Sequence, residues 1–392
     1  MRSSFLPSAV KRSINAAGQL HPMKSSLELG KIIGIPVRLH WTFLLVILYV
    51  AWAFASFSQT VYGNVYGFGA IEPVQMRWLY SLLFAIMLFA CVALHELGHS
   101  YVAHRNGIRI KSITLYFFGG VASMEEIPRN PRLELKMAFA GPAVSGVLGI
   151  VSVYLAGPVA AYGGAGSAPA IMLWTLGIMN LILMAFNLLP AFPMDGGRLL
   201  RAWFATRMPY IKATRLAADI GKIFATLMFL LGLSSLNFML IFVAFFVYAG
   251  ASEEEKATEI SVSLAGISVR NIMSSPVRSV SQDMALDELT ELMFREKHRG
   301  YPVMDGSALV GIVTLTDLQK VAAADRAIAR VGQVMTRKLY LIDPEQEAST
   351  AMKMMNDMQI RRLPVIAEGR LVGIVSREDL VRAIELCRER EH

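Results

Sequence analysis

Residues 78–99 read WLYSLLFAIMLFACVALHELGH, an apolar stretch that ends in two histidines and a glutamate. His95 and His99 are four residues apart, so they share one face of a helix and could both ligate one zinc ion. Glu96 lies between them and could act as the general base that takes a proton from a water molecule. Such short motifs also occur by chance, so the pentapeptide alone leaves the enzyme hypothesis open.

The composition places this motif in a membrane. Of the 392 residues, 54% are hydrophobic and 17% are charged, which is outside the range of ordinary soluble proteins. Six apolar runs have a length that predicts membrane spans. They lie near 39–58, 78–95, 136–161, 170–189, 213–235 and 236–251. The predicted fold class is therefore a polytopic α-helical membrane protein of about six spans, with a soluble part.

Lysine and arginine are concentrated on one side of the predicted spans. They precede span one and follow spans two and four, whereas the intervening loops are almost free of charge. Since basic loops stay in the cytoplasm, both termini of this multi-pass protein are predicted to be cytoplasmic, in a prokaryotic inner or plasma membrane. Basic loops beside an anionic lipid bilayer also explain the net charge of +8, and no nucleic-acid partner is predicted.

A third zinc ligand is sought outside the HELGH helix, because a catalytic zinc site keeps three protein ligands and one open position. Residues 187–203 read NLLPAFPMDGGRLLRAW, in which two prolines interrupt the helix before Asp195. Asp195 could instead cap the helix that follows. Spans two and four both end on the cytoplasmic side, which places Asp195 at the depth of the histidines and favours the ligand role.

HELGH in one span and N-x-x-P-x-x-P-x-DGG after another resemble the site-2 protease family of intramembrane zinc metalloproteases. The resemblance covers residues from about 23 to 251, and GGVA at 119–122 and GP at 141–142 also look like family features. It implies that His95, His99 and Asp195 bind one zinc ion per chain and that Glu96 is the general base. The implied reaction is hydrolysis of a peptide bond within or near a transmembrane segment of a membrane protein substrate.

Two further features of this region have open alternatives. Asn187 could bind the substrate backbone or the developing oxyanion, or it could form a hydrogen bond between helices. Residues 108–125 alternate in polarity up to a pair of glycines, which predicts a short membrane-associated β-hairpin. An edge strand at 112–118 could hold an unwound substrate by strand addition, or the hairpin could be purely structural.

The C-terminal part repeats itself with a period of 62 residues. Met273 matches Met335, and LVGIV recurs at 309–313 and 371–375. Each copy predicts a strand, a helix, two more strands and a closing helix. This pattern resembles a pair of CBS domains that covers residues from about 267 to 388 and forms one soluble α/β module.

The CBS resemblance implies an adenine nucleotide, ATP or AMP, bound between the copies. The implied contacts are Thr314 with Asp317, Ser376 with Asp379, and phosphate contacts from Arg299, Arg361 and Arg362. A hydroxyl three residues before an aspartate is also an ordinary helix start, and a CBS pair can serve purely as a dimer interface. A homo-oligomer formed through these domains is therefore expected.

The predicted organisation is a cytosolic tail (1–30), a transmembrane metalloprotease domain (31–251), a linker (252–266) and CBS repeats at 267–328 and 329–392. The predicted function is regulated intramembrane proteolysis by a zinc metalloprotease, tuned by nucleotide on the CBS pair. The alternatives are a CBS-regulated membrane transporter and a non-proteolytic membrane scaffold. The spans lack the repeated hydropathy pattern that would favour the transporter.

Overall fold

A computed structural model describes residues 26–32, 34–116, 119–124 and 130–390. The chain forms two compact units and passes from the first to the second between Thr258 and Glu259. Of the predicted tail, residues 1–25 lie outside the described residues, whereas residues 26–30 belong to the first strand.

The first unit is built on apolar helices. They are α1 (Thr42–Ser56), α2 (Val74–Arg105), α3 (Pro131–Gly163), α4 (Ala168–Asn187), α5 (Asp195–Ala205), α6 (Tyr210–Ser234) and α7 (Phe238–Ser263), whose last residues lie beyond Thr258. Among the described helices, α2, α3, α4 and α6 are long and apolar enough to cross a membrane. The predicted fold class, a polytopic helical membrane protein, is confirmed.

The other two predicted spans correspond to α1 and α7. The apolar part of each is shorter than that of these four helices, for different reasons. Helix α1 has 15 residues, or about 22 Å at 1.5 Å per residue, against a hydrocarbon core of about 30 Å. Strands take the residues on both sides of it. Helix α7 has 26 residues, but the acidic run Glu253–Glu255 shortens its apolar part.

The strands of the first unit form a sheet and a separate hairpin. They are β1 (Ser26–Ile32), β2 (Ile35–His40), β3 (Gln59–Val61), β4 (Asn64–Tyr66), β5 (Ile110–Tyr116) and β6 (Gly119–Met124). The four-stranded sheet has the order β1–β2–β5–β6, and β3 pairs with β4 alone. The predicted β-hairpin therefore exists as β5 and β6, which pair antiparallel.

The hypothesis of an edge strand at 112–118 is wrong for residues 112–116, and residues 117 and 118 lie outside the described residues. Strand β5 pairs with β6 on one side and, in parallel, with β2 on the other, where Val37 is opposite Ile113. The sequence near the hairpin gives no sign of this second partner, because the paired residues of β2 lie 76 positions earlier in the chain. Among the described strands, the two edges of the sheet are β1 and β6.

The second unit contains two halves of matching structure. Its elements are β7 (Val280–Ser281), α8 (Leu286–Glu296), β8 (Gly300–Asp305), β9 (Ala308–Thr314), α9 (Leu315–Gln319), α10 (Val331–Val334), α11 (Ala348–Asp357), β10 (Arg362–Ala367), β11 (Arg370–Ser376) and α12 (Arg377–Arg390). Gly300 pairs with Thr314 in one hairpin, and Arg362 pairs with Ser376 in the other. The 62-residue repeat is therefore also a repeat of strand register.

Residues from the start of each repeat pack in the core of the other repeat. Val269, from the start of the first repeat, packs in the core of the second with Leu363, while Val331 packs in the core of the first with Leu289. Reciprocal backbone hydrogen bonds of 2.9 Å join Ser274 N to Ile374 O and Thr336 N to Ile312 O. Neither half has a complete core without the other, so the pair forms one module.

Candidate active site

Helix α2 carries both histidines on one face, one turn apart. Their ring centroids are 5.0 Å apart, and the side chains are only 5% (His95) and 12% (His99) exposed. The apolar residues before them keep this helix in a hydrophobic environment, where an ionisable group is costly unless it is paired or bound to a metal.

Asp195 reaches the histidines from a different part of the chain. Helix α4 ends at Asn187, and α5 begins at Asp195 itself, with Met194 as its N-cap residue, so Asp195 is not the cap. The negative charge of Asp195 lies in the first turn of α5, where the helix dipole stabilises it. The helix sits close to the preceding loop, because a Cβ atom on Gly196 would overlap the carbonyl oxygen of Leu189.

Three donor atoms converge at this point. Oδ2 of Asp195 lies 3.2 Å from Nε2 of His95 and 3.1 Å from Nε2 of His99, and the two Nε2 atoms are 3.2 Å apart. Ligands bound tetrahedrally to zinc at about 2.0–2.1 Å are separated by about 3.3 Å. Among the described residues, this is the one group of three or more histidine, cysteine or acidic side chains with metal-binding spacing.

The outer nitrogens of the two imidazoles are held by helix α3. Nδ1 of His99 lies 2.7 Å from the carbonyl oxygen of Met137, and Nδ1 of His95 lies 2.8 Å from Oγ of Ser145. A carbonyl only accepts, so Nδ1 of His99 donates and the neutral ring keeps its lone pair on Nε2. The Nε2 lone pair of His99 therefore faces a carboxylate oxygen of Asp195, an arrangement that fits a cation between them. Imidazole with carboxylate is a donor set typical of zinc.

Helix α3 also approaches the imidazoles closely at Gly141. A Cβ atom there would overlap Nε2 of His99 and would lie 2.6 Å from Nε2 of His95. Met137, Gly141 and Ser145 recur at intervals of four residues, which places them on one helix face. The sequence analysis noted Gly141 only as a family feature and missed Met137 and Ser145, although the spacing of small residues on α3 is the signal that could have revealed this face.

Glu96 lies on α2 beside the convergent atoms. It is partly buried, and its charge interacts with His95, His99, Asp195 and Arg198. It follows His95 by one residue and precedes His99 by three, so about 60° of helix rotation separates it from His99. Its role as a general base stays a prediction.

Asn187 is the last residue of α4 and is partly buried. Its Nδ2 donates a 3.0 Å hydrogen bond to the carbonyl oxygen of Leu183, one turn earlier in the same helix. The side-chain nitrogen of Asn187 thus forms a hydrogen bond within its own helix and not the bond between two helices that was the alternative. The oxyanion role stays a prediction.

In the second unit, the predicted pairs of a hydroxyl and a carboxylate lie at the N-termini of two helices. Oδ2 of Asp317 accepts hydrogen bonds from the backbone N and Oγ1 of Thr314, at 3.1 and 2.7 Å. Asp379 accepts the equivalent pair from Ser376, at 2.8 and 2.6 Å. Both pairs therefore act as helix caps, which is the alternative that the sequence analysis left open.

Each of these pairs also lines a cavity. Thr314 and Asp317 line a cavity of about 410 Å³ together with Arg361, and Ser376 and Asp379 line one of about 620 Å³. Arg299 and Arg362 line both cavities.

The charge in these cavities is only partly compensated. Burial lowers the pKa of Arg362; the Glu378 carboxylate raises it, and the nearby Arg299 and Arg361 lower it further. Burial raises the pKa of Asp317, but hydrogen bonds from Lys320 and Thr314 outweigh burial and hold it below its ordinary value. The cavities thus combine a clustered positive charge with an ionised aspartate.

Comparison with known proteins gives matches along most of the chain. The peptidase family M50 profile matches residues 83–163 and 152–231, and the CBS domain profile matches residues 269–324 and 331–386. A zinc metalloprotease of Methanocaldococcus jannaschii is 35% identical over 369 residues, which are 94% of this chain and 99% of that protein. The Mycobacterium tuberculosis protein Rip3 is 31% identical over 386 residues, which are 93% of this chain and 94% of Rip3.

A solved structure of a site-2 protease from Methanocaldococcus jannaschii is also similar to this chain. Its sequence is 41% identical, and the match covers 59% of this chain and 95% of that one, with a TM-score of 0.40.

Proposed function

Because the chain belongs to peptidase family M50, the site-2 proteases, we propose that it hydrolyses a peptide bond within or near a transmembrane segment of another membrane protein. The predicted zinc metalloprotease activity and the CBS pair agree with the relatives described above. The observation that carries the proposal is the triangle of donor atoms from His95, His99 and Asp195, with sides of 3.1–3.2 Å.

In this proposal, His95, His99 and Asp195 hold the catalytic zinc ion. Their donor atoms come from two elements distant in sequence, and α3 fixes the orientation of both imidazoles. Such outer hydrogen bonds fix the tautomer and increase the basicity of a ligating histidine. Zinc, when bound, supplies Lewis acidity toward a water molecule and toward a substrate carbonyl.

Glu96 moves the proton in the proposed reaction. Its carboxylate accepts a proton from the attacking water and then donates it to the nitrogen of the leaving amine. The position of Glu96 one residue after His95 keeps it next to the reacting atoms without making it a ligand. Asn187, at the end of α4, is the proposed partner of the substrate backbone or the developing oxyanion.

We propose that the substrate backbone binds at β6, an edge of the sheet among the described strands. A peptide bond inside a helix is protected by its hydrogen bonds, so the substrate must unwind before it is cut. An extended segment can add to a free strand edge by backbone hydrogen bonds. The edge strand of the hairpin is β6 and not β5, so strand addition is proposed at Gly119–Met124.

The charge distribution supports a cytoplasmic location for both termini, in a prokaryotic inner or plasma membrane, a topology in which α1 and α7 cross the membrane together with the four longer helices. Basic residues are concentrated on one side of the predicted spans, and α2 ends on that side with Arg105, ten residues after His95. The proposed zinc site therefore lies near the cytoplasmic leaflet.

The CBS pair is proposed to bind an adenine nucleotide that tunes proteolysis. The arginines at Arg299, Arg361 and Arg362 suit the phosphates, and Thr314 with Asp317 or Ser376 with Asp379 suit the ribose and phosphate groups. Two chains are further proposed to associate through their CBS pairs.

Proteolysis is tested in liposomes that contain the purified chain and single-span membrane proteins as candidate substrates. We expect the wild type to release a fragment cut in or near the transmembrane segment, and we expect Glu96→Gln to release it about 100- to 10,000-fold more slowly while keeping its zinc. Full cleavage by Glu96→Gln would contradict the proposed mechanism. Adding ATP or AMP to the same liposomes tests the regulation, since an unchanged cleavage rate at saturating nucleotide would contradict it.

A further inference from the structure

Helix α5 carries a buried charge that the proposed reaction does not use. Arg201 lies two turns beyond Asp195 and is 6% exposed. Its Nε donates to Oε1 of Glu134 at 2.7 Å, and its Nη1 donates to Oε1 of Glu254 at 2.6 Å. A buried guanidinium is strongly destabilising without partners, so these contacts hold α5 to α3 and to α7.

Aromatic rings complete the surroundings of Arg201. Its guanidinium carbon lies 5.1 Å from the ring centroid of Phe192 and 5.1 Å from that of Tyr210. Phe192 is fully buried in the loop that precedes Asp195. Arg201 belongs to the helix that begins at Asp195, and it also contacts the loop before Asp195 through Phe192. It therefore links the chain on both sides of Asp195.

Glu134 belongs to the face of α3 that contacts the histidines. Glu134, Met137, Gly141 and Ser145 fall within about 80° of one another around the helix axis at 100° per residue. Met137 and Ser145 hold the two imidazoles, and Glu134 holds α5 through Arg201. One face of α3 thus sets the positions of all three proposed ligands.

We infer that Arg201 is a positioning residue that keeps the Asp195 carboxylate aligned with the two imidazoles by fixing α5 to α3. This inference rests on the proposed function, since it takes Asp195 as a metal ligand. Glu254 is a second anchor from α7, and its side chain is more exposed than that of Glu134. Loss of the Glu134 contact therefore has the larger effect on Asp195.

Arginine is needed at this position because its donors lie in a planar fork. The fork reaches carboxylates on two different helices at once, whereas a lysine ammonium is a compact point charge on a flexible stem. Arg201→Lys keeps the buried charge but cannot reproduce both contacts with the same geometry. It is therefore the variant that separates positioning from mere charge balance.

The test measures metal binding by the full-length chain in detergent. Zinc is removed by a chromophoric chelator from the wild type, Arg201→Lys, Glu134→Gln and Glu254→Gln. Arg215→Met is the matched control, because it breaks a partly exposed pair with Glu255 at 3.6 Å that does not involve α5. We expect zinc affinity to fall about 10- to 100-fold in Arg201→Lys and Glu134→Gln, less in Glu254→Gln, and not in the control.

A spectrum of the Co²⁺-substituted protein supplies a readout that a merely structural role would not change. If Arg201 acts through Asp195, the visible spectrum of Arg201→Lys shifts toward that of Asp195→Ala. A wild-type spectrum and wild-type zinc affinity in Arg201→Lys and Glu134→Gln would overturn the inference. A wild-type chain that binds no zinc would instead overturn the proposed function.

Discussion

Gly141→Ala adds one methyl group where α3 packs against the imidazoles. The new Cβ would lie 2.6 Å from Nε2 of His95, against at least 3.4 Å for an ordinary contact, and would overlap Nε2 of His99. The His95 ring must then move by about 0.8 Å, and His99 by more. Metal and catalytic groups tolerate displacements of about 0.5 Å, and a 1 Å error in position can reduce a rate about 100-fold.

We therefore expect Gly141→Ala to cleave a membrane protein substrate about 100-fold more slowly than the wild type. Its zinc affinity should fall about 10- to 100-fold. Alanine is favoured over glycine inside a helix by about 1 kcal/mol, so helix propensity works against any loss of stability. The assay is cleavage in liposomes, paired with zinc affinity from chelator competition on the same preparation.

Gly157→Ala is the matched control for this prediction. Gly157 lies on the same helix, and a Cβ atom there meets nothing within 4 Å. The control should keep both wild-type cleavage and wild-type zinc affinity. If Gly141→Ala also keeps both, the close packing of α3 against the imidazoles does not set the geometry of the site, and that part of the reasoning is refuted.

Three further outcomes follow from the same contacts. Glu96→Gln should lose about 100- to 10,000-fold in cleavage rate while keeping its zinc by elemental analysis, because Glu96 transfers a proton and is not a ligand. Asp317→Asn should destabilise the start of α9 by about 1 kcal/mol at pH 7, measured by amide exchange of residues 315–319 in the full chain. Because the pKa of Asp317 is lowered in the folded state, that difference is present above about pH 4 and should shrink as the pH falls through the folded pKa. Arg362→Gly, which copies Gly300 of the first repeat, should weaken ATP binding at least tenfold by calorimetry, whereas equal affinity would exclude Arg362 as a phosphate contact.

The parts of the structure that the sequence predicts are those with local signals. Apolar runs predict α2, α3, α4 and α6, because membrane helices satisfy their own backbone hydrogen bonds. The exact 62-residue repeat predicts two matching halves, and His95 with His99 lie within one turn of one helix.

The parts that escaped prediction depend on contacts between distant segments. The pairing of β5 with β2, and the exchange of Val269 and Val331 between the repeats, join residues that no local pattern relates. The same holds for Met137 and Ser145, because a backbone carbonyl and a serine in an apolar helix give no sign of the imidazole that each contacts. Prolines and glycines around Asp195 did indicate that the regular helix is interrupted there. The proximity of Asp195 to the histidines was inferred only from membrane topology.

The central claim is that His95, His99 and Asp195 hold one catalytic zinc ion. Anomalous diffraction at the zinc absorption edge, from crystals of the full-length protein, tests it most directly. The account predicts one peak per chain, within about 2.0–2.2 Å of Nε2 of His95, Nε2 of His99 and a carboxylate oxygen of Asp195. A peak bound to other residues, or no peak in protein that cleaves its substrate, would contradict it.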